Sequence, residues 1–326
     1  MQEYMGKQKL DTLKPEELPK PVEVLSPIKG LKGDKNKSAK AYQSIWTSEG
    51  SPLIVFTKQL RDALQETVTA PVTIAMRYGN PSVDSVLRGM REQGVERLLV
   101  VPLYPQYASS TTATVVDEVT RVASHMRDQP AMRFIKRFHT DPAFIYPLGD
   151  KIAAFWQQHG KPQKLVMSFH GLPRQCVDMG DPYCRDCYET ARALAQYLGL
   201  SDDAYQVTFQ SRFGPAKWLE PYTEPTLQKL AQQGVTEIDV VCPGFLADCL
   251  ETLEEINQEG REDFQHAGGG EFHYIECLND SDLSAAMLSE ITAQHMQGWP
   301  VDMGYEESMA QELAESRKLA LEMGAQ

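Results

Sequence analysis

Along this chain, apolar residues recur at helical spacing in some stretches and run on unbroken in others, and the two patterns alternate. Pro52–Gln65 has apolar positions at helical spacing behind a Ser-Pro start, which predicts a helix. Val72–Met76 is a short β-branched run that predicts a strand, with Arg77-Tyr78-Gly79-Asn80-Pro81 as the turn after it. Val83–Gln93 predicts a helix that Gly94 closes. Leu98–Leu103 is continuously apolar and predicts a strand buried on both faces. Thr111–His125 predicts the next helix and Met132–Phe138 the next strand. The second half repeats the alternation. Strands are expected at Leu165–Phe169, Tyr205–Phe209, Ile238–Cys242 and Phe272–Ile275. Helices are expected at Arg185–Leu198, Glu224–Gln232, Asp248–Gln258 and Asp280–Gln297.

Strands and helices that alternate with short links predict an α/β fold with parallel sheets. Two similar halves, divided near Asp141–Lys161, predict two doubly wound, Rossmann-like sub-domains. The expected division is an irregular segment over 1–40, a first α/β sub-domain over 41–140 and a second over 141–276. C-terminal helices follow over 277–326, the first packing back on the first sub-domain. In such folds ligands bind beyond the carboxyl ends of the strands, so chemistry is sought there.

Composition narrows the function classes. A formal net charge of −13 over 326 residues argues against general binding to nucleic-acid phosphates. No apolar run approaches the roughly 20 residues that cross a bilayer, and Met1–Leu25 lacks an apolar signal core, so a cytoplasmic protein is expected. Lys29, Lys32, Lys35, Lys37 and Lys40 cluster against Asp34 alone, as a solvated loop or a basic lip facing an anionic surface. The six cysteines, Cys176, Cys184, Cys187, Cys242, Cys249 and Cys277, read as reduced thiols or metal ligands. The phosphate loops GxxxxGK[ST] and GxGxxG, and the motifs HExxH and GxSxG, are absent.

Four segments carry candidate chemistry. His170 directly follows the Leu165–Phe169 strand, and Gly171 and Pro173 turn the chain after it. A histidine there can exchange protons near neutral pH or ligate divalent iron, or can simply bond the turn. Asp248, Glu251 and Glu255 are spaced to share a helical face, as a cation or proton row or as N-terminal capping acids. Thr208–Gly214 with Trp218 places Gln210, Ser211, Arg212 and an indole after a strand. That set suits a flat aromatic ligand bearing carboxylates, or a capped turn beside a core tryptophan. Leu103–Thr112 runs from a strand through Tyr104 and Tyr107 to hydroxyls that can cap a helix or line a slot.

Together these segments resemble the ferrochelatase family. The matching stretches are SFHGLP at 168–173, FQSRFGPAKWLEPYT at 209–223, CPGFLADCLETLEEI at 242–256, LVVPLYPQYASSTT at 99–112, AMRYGNPS at 75–82 and AYQSIWTSEGSPL at 41–53. They run in matching order from about Lys40 to Trp299, in the style of proteobacterial protoporphyrin ferrochelatases. The resemblance implies a class II chelatase-like fold and a lyase that inserts ferrous iron into protoporphyrin IX in the last step of haem biosynthesis. It implies His170 as the residue that takes pyrrole protons or guides the metal, Glu251 as the catalytic glutamate and Glu255 as the next acid on the path. His170 and Glu251 would also be the metal-contacting pair. The porphyrin cleft would fall on Arg77, Tyr78, Tyr104 and Trp218, with Tyr42 and Ser51 beside it.

The chain departs from the family pattern at three places. Cys249 stands where the family often has a histidine. The family's opening strand, ending in Asn-Leu-Gly-Thr-Pro, has no counterpart in Met1–Asp34, so low stability and a weak porphyrin site are expected. Cys176, Cys184 and Cys187 form Cx7CxxC, three of the four thiolates that a [2Fe–2S] cluster wants. No cofactor is expected beyond substrate iron. The expected partners are protoporphyrin IX and ferrous iron, with peripheral contact at the inner membrane, in a monomer. The competing readings are a sirohydrochlorin or cobalt chelatase of the same fold, and a porphyrin-binding protein impaired in catalysis.

Overall fold

A computed structural model describes residues 35–299 and 303–325. The clearest part of the architecture is a four-stranded parallel sheet built from β3 (Lys164–His170), β4 (Tyr205–Gln210), β5 (Glu237–Val241) and β6 (Glu271–Tyr274), numbered after the two strands of the smaller sheet below. Its spatial order is β4-β3-β5-β6. His170 pairs in register with Gln210, and Met167 with Val241. Val166, Met167, Phe169, Ile238 and Val240 are almost wholly buried, as a strand covered on both faces requires. The chain leaves β3 toward β4 on one side and returns to β5 on the other. The gap between the carboxyl ends of β3 and β5 is therefore the switch point of this sheet, where the fold opens a crevice.

A second sheet contains two parallel strands among the described residues, β1 (Arg97–Val100) and β2 (Ala131–Phe134), with Leu98 opposite Met132. Helices α3 (Val83–Glu92) and α4 (Thr112–Ala123) pack on it through Leu87, Val119 and Val122 against Leu98. The expectation for Leu98–Leu103 is corrected here. The strand stops at Val100, and Leu99, Val100 and Val101 are only half-buried. Val72–Met76 is likewise extended without becoming a strand. It makes one bridge, Met76 to Ser82, and pairs with no strand among the described residues.

Two of the longer helices escape the hydropathy pattern. α1 spans Lys35–Ile45, so the irregular N-terminal segment expected over 1–40 yields to a helix from Lys35 onward. Lys29 and Lys32 lie outside the described residues. The second missed helix is α5 (Pro142–His159), which occupies the stretch expected to divide the halves. Its start is well specified: the Asp141 side chain accepts from the Ala143 N–H at 2.9 Å, and Pro142 sits at the first helical position. Pro147 inside it and the Gly160 stop disguise it as a linker.

α5 packs against α7 (Tyr183–Tyr197), and α11 (Asp282–His295) packs against both α2 (Pro52–Thr67) and α5. Leu60, Ile135, Phe144, Leu165, Phe169, Leu194 and Ile291 thereby join one apolar core that runs beneath both sheets. The remaining helices are α6 (Arg174–Asp178), α8 (Thr223–Gln232), α9 (Leu250–Leu253), α10 (Arg261–His266) and α12 (Met303–Glu322). Between α9 and α10 lies a π-helical stretch, Glu255–Gly260. The single helix expected over Asp248–Gln258 is thus a short α-helix followed by the π-helical stretch, and α10 continues beyond it.

Candidate active site

His170 ends β3 at the switch point. Its Nδ1 lies 2.7 Å from the Gly171 carbonyl, and its own carbonyl accepts from Tyr183 Oη at 2.8 Å. Burial pushes the Tyr183 hydroxyl well above its ordinary range, so it stays a donor. Gly171 must be glycine for want of space: a Cβ there would stand 2.6 Å from the Gln210 carbonyl and 3.1 Å from the Trp218 ring. The Gly171 N–H donates to that same carbonyl at 2.7 Å. The turn after β3 is therefore pressed against the turn after β4.

Around His170 opens a cleft lined mainly by apolar side chains, among them Leu53, Leu60, Leu103, Leu172, Phe213, Phe245 and Leu246. Tyr104 from the loop after β1 and Trp218 from the loop after β4 line it as well. The Trp218 N–H donates to the Phe213 carbonyl at 2.9 Å, and the two rings meet edge to face at 5.8 Å. Glu251, buried at the start of α9, brings a carboxylate to this wall. The thiol of Cys249, one of the departures noted above, donates to Glu251 Oε2 at 3.2 Å.

A second, acidic cavity meets the first at Glu251. Glu251, Glu255, Glu259 and Asp263 line it, each four residues beyond the last, with Glu254 and Glu224 beside them. In a straight α-helix, residues four apart drift by about 40° per step at 3.6 residues per turn. The π-helical stretch widens the turn and reverses that drift, so the four acids stay on one face. Asp248 does not belong to this row. It is 1% exposed and points the other way, accepting from Tyr274 Oη at 2.5 Å, Asn279 Nδ2 at 2.7 Å and Thr252 Oγ1 at 2.8 Å. Its work is to fix the entry to α9.

Glu255 is held by Ser211. The Ser211 N–H donates to Glu255 Oε1 at 2.7 Å and its hydroxyl donates to Oε2. Ser211 takes a left-handed φ of 60° to do this, a conformation that a non-glycine residue adopts at a cost. Gln210 ties the layers together, donating to the Glu251 carbonyl at 2.6 Å while accepting from Ser168 Oγ at 2.6 Å. The sequence marked Gln210 and Ser211 as ligand-facing or turn residues, whereas here they hold the carbonyl of Glu251 and the carboxylate of Glu255.

Of the residues expected at the site, His170, Glu251, Tyr104 and Trp218 line one cleft, and Glu255 lines the adjoining acidic cavity. Four others do not line either. Arg77 lies over the Tyr78 ring at 4.5 Å and donates to the Thr114 carbonyl of α4 at 2.8 Å. Tyr42 is buried among Ile45, Trp46 and Leu250, and Ser51 is buried at the start of α2. Their aromatic, hydroxyl and cationic chemistry suits a ligand, but packing spends it on the scaffold.

The cysteines do not gather as a cluster cradle. Cys187 is buried in the core on α7, and Cys176 and Cys184 are half-buried against that core. Burial raises all three thiols. The others are committed elsewhere: Cys277 beside Tyr274, Cys242 beside Gln210 and Cys249 beside Glu251. Among the described residues no three thiols lie within 4.8 Å of one another. His139, Asp186 and Glu189 also converge, but Arg137 donates to Asp186 at 2.7 Å, so they form an ion-pair network.

The model of the ferrochelatase family matches residues 25–296. A ferrochelatase of Bordetella pertussis is 57% identical over 269 residues, 81% of this chain and 74% of that protein. Those of a Polaromonas species and of Thioalkalivibrio sulfidiphilus are 50% and 48% identical, each over 89% of this chain and 79% and 80% of theirs. Among solved structures, SirB from Bacillus subtilis with Fe3+ superposes with a TM-score of 0.55 at 16% identity, over 76% of this chain and 93% of its own. CbiX, the terminal enzyme of sirohaem biosynthesis in denitrifying bacteria, gives 0.52 at 17% identity, over 75% of this chain and 94% of its own. At such identities the structures share the fold alone. The long match in sequence goes further, and by it this chain belongs to the ferrochelatase family.

Proposed function

We propose that the chain inserts ferrous iron into protoporphyrin IX, with His170 and Glu251 as its catalytic residues. The reaction joins the porphyrin and Fe2+ and releases two pyrrole protons. An apolar cleft suits the flat macrocycle, and its walls can favour a bent ring whose nitrogen lone pairs are accessible. His170 takes a pyrrole proton, for which imidazole is suited near neutral pH. Glu251 contacts the incoming metal together with His170, and Glu255, clamped by Ser211, is the next station of the acidic row. Tyr104 and Trp218 flank the ring. The segments 41–140 and 141–276 act as two sub-domains that grip it from opposite sides.

The observation that carries this reading is that Glu251 belongs to both cavities, so the acidic row meets the apolar cleft that His170 also lines. The test is insertion of Zn2+, or of Fe2+ without oxygen, into protoporphyrin, followed by the porphyrin spectrum. His170→Ala is expected to lower kcat by roughly 10²–10⁴-fold, the usual worth of a positioned acid or base. Wild-type protein that binds protoporphyrin without metallating it, or that metallates only sirohydrochlorin, contradicts the proposal.

A further inference from the structure

Gln106 is a cleft-lining residue to which neither the family resemblance nor the mechanism above gives a task. It lies in the loop between β1 and α4, two residues beyond Tyr104, and is 2% exposed. A buried amide is costly unless its hydrogen bonds are made, and here they are made across the molecule. Gln106 Nε2 donates to Thr190 Oγ1 on α7 at 2.9 Å and to the Pro243 carbonyl at 3.2 Å. Pro243 is buried too, and it opens the turn after β5 that carries Phe245 and leads to Glu251. Thr190 is itself anchored to the His139 and Asp186 carbonyls, each at 3.0 Å. The same loop is fastened twice more: Tyr107 N–H donates to Asp186 at 3.3 Å and Ser109 N–H to Asp181 at 2.7 Å.

From this geometry we infer that Gln106 is a positioning residue, which sets the width of the cleft by holding the Tyr104 wall to the turn that bears Phe245 and Glu251. The inference rests on the metal-insertion reading. Gln106 has no proton to exchange near neutral pH, and its N–H groups are spent on protein acceptors, so it acts through the walls it joins. A ring that must be held bent is sensitive to a small widening of its slot, because misplacement of about 1 Å can cost on the order of 100-fold in rate. Binding is less sensitive, since the apolar contacts that retain the ring are spread over the whole cleft.

The test uses the full chain and zinc insertion into protoporphyrin, with Gln106→Leu and Gln106→Glu. Leucine fills much of the same space without the bonds. For it, kcat is expected to fall 10- to 100-fold, while the Kd for protoporphyrin and the KM for zinc stay within threefold. The out-of-plane resonance Raman bands of the bound porphyrin should weaken in parallel. Glutamate keeps the shape and can donate to the Pro243 carbonyl only when protonated, the form that burial favours. The kcat of Gln106→Glu relative to wild type should therefore rise at least fivefold from pH 8.5 to pH 6.5. A purely structural role would lower the melting temperature without moving that ratio. Wild-type kcat in Gln106→Leu, or a pH-independent ratio in Gln106→Glu, overturns the inference. Should the leucine variant not fold, the glutamate ratio decides alone. Wild type that inserts no zinc overturns the functional reading, and this role with it.

Discussion

Buried polar side chains in this protein are rarely idle, and Asp239 on β5 shows how one can bear on stability. It is 1% exposed, accepts from Trp156 Nε1 at 2.7 Å and meets His273 Nδ1 at 3.0 Å. Burial raises its carboxyl above the ordinary 3.8, despite those two bonds. The folded state thus holds this proton more tightly than the unfolded chain. The resulting stability is fully present below the ordinary value and is lost as pH rises through the raised one. Asp239→Asn, which stays neutral and can keep both contacts, should be more stable than wild type above that window. Its urea midpoint should exceed that of wild type at pH 7 and vary less between pH 4 and pH 8. An asparagine variant less stable than wild type at pH 7 would show that the ionised form is the one the site favours. Residue identity alone marks Asp239 as a polar position in a strand. Its value comes from Trp156, 83 positions earlier in the chain.

At the scale of elements, the π-helical stretch is the device that matters most for the site. Neutralising the acids that it keeps in line, with Glu259→Gln and Asp263→Asn together, tests the row. The expected result is a several-fold rise in KM for the metal with little change in protoporphyrin affinity, read from initial rates at varied zinc. An unchanged metal dependence would mean that the acids beyond Glu255 take no part. The periodicity of the sequence gives a helix here and puts Asp248, Glu251 and Glu255 on one face, but it cannot see the wider turn. A π turn depends on what packs beneath it, in this case Ile256 and Gly260, the latter lying close against Leu227. The strands of the larger sheet were legible because short runs rich in apolar, β-branched and aromatic residues alternate with helical patterns. α5 was obscured because Pro147 and a flanking glycine look like punctuation, although Asp141-Pro142 is a proper helix start.

At the scale of the whole molecule, the ends of β1 and β2 are fastened to α7 by a network centred on Asp186. This fully buried carboxylate accepts from Arg137 at 2.7 Å and from the Tyr107 N–H, and His139 pairs with Glu189 at 2.8 Å beside it. Removing the centre leaves a guanidinium and a backbone donor without their acceptor. Asp186→Ala should cost about 3 kcal/mol. That corresponds to roughly 2–4 °C of Tm for each kcal/mol in a chain of this class, measured by calorimetry. A melt unchanged within 2 °C would mean that the two sheets hold together through the shared apolar core alone. The same network sets the stage for Gln106, since the loop that it fastens is one wall of the cleft.

The sequence by itself determined the alternation of strands and helices, the parallel sheets and the family, because apolar periodicity and long motifs are written in contiguous residues. Through the family resemblance it also marked His170, Glu251, Tyr104 and Trp218, and these side chains line one cleft. Only the tertiary structure decided the rest. It turned Asp248 away from the acid row toward Tyr274 and Asn279, and it drew Tyr42, Ser51 and Arg77 into packing. It also gave Ser211, Gln210 and Gln106 their tasks. The physical reason is the same in each case. A polar side chain takes its function from the partner it finds when buried, and those partners lie tens of residues away along the chain.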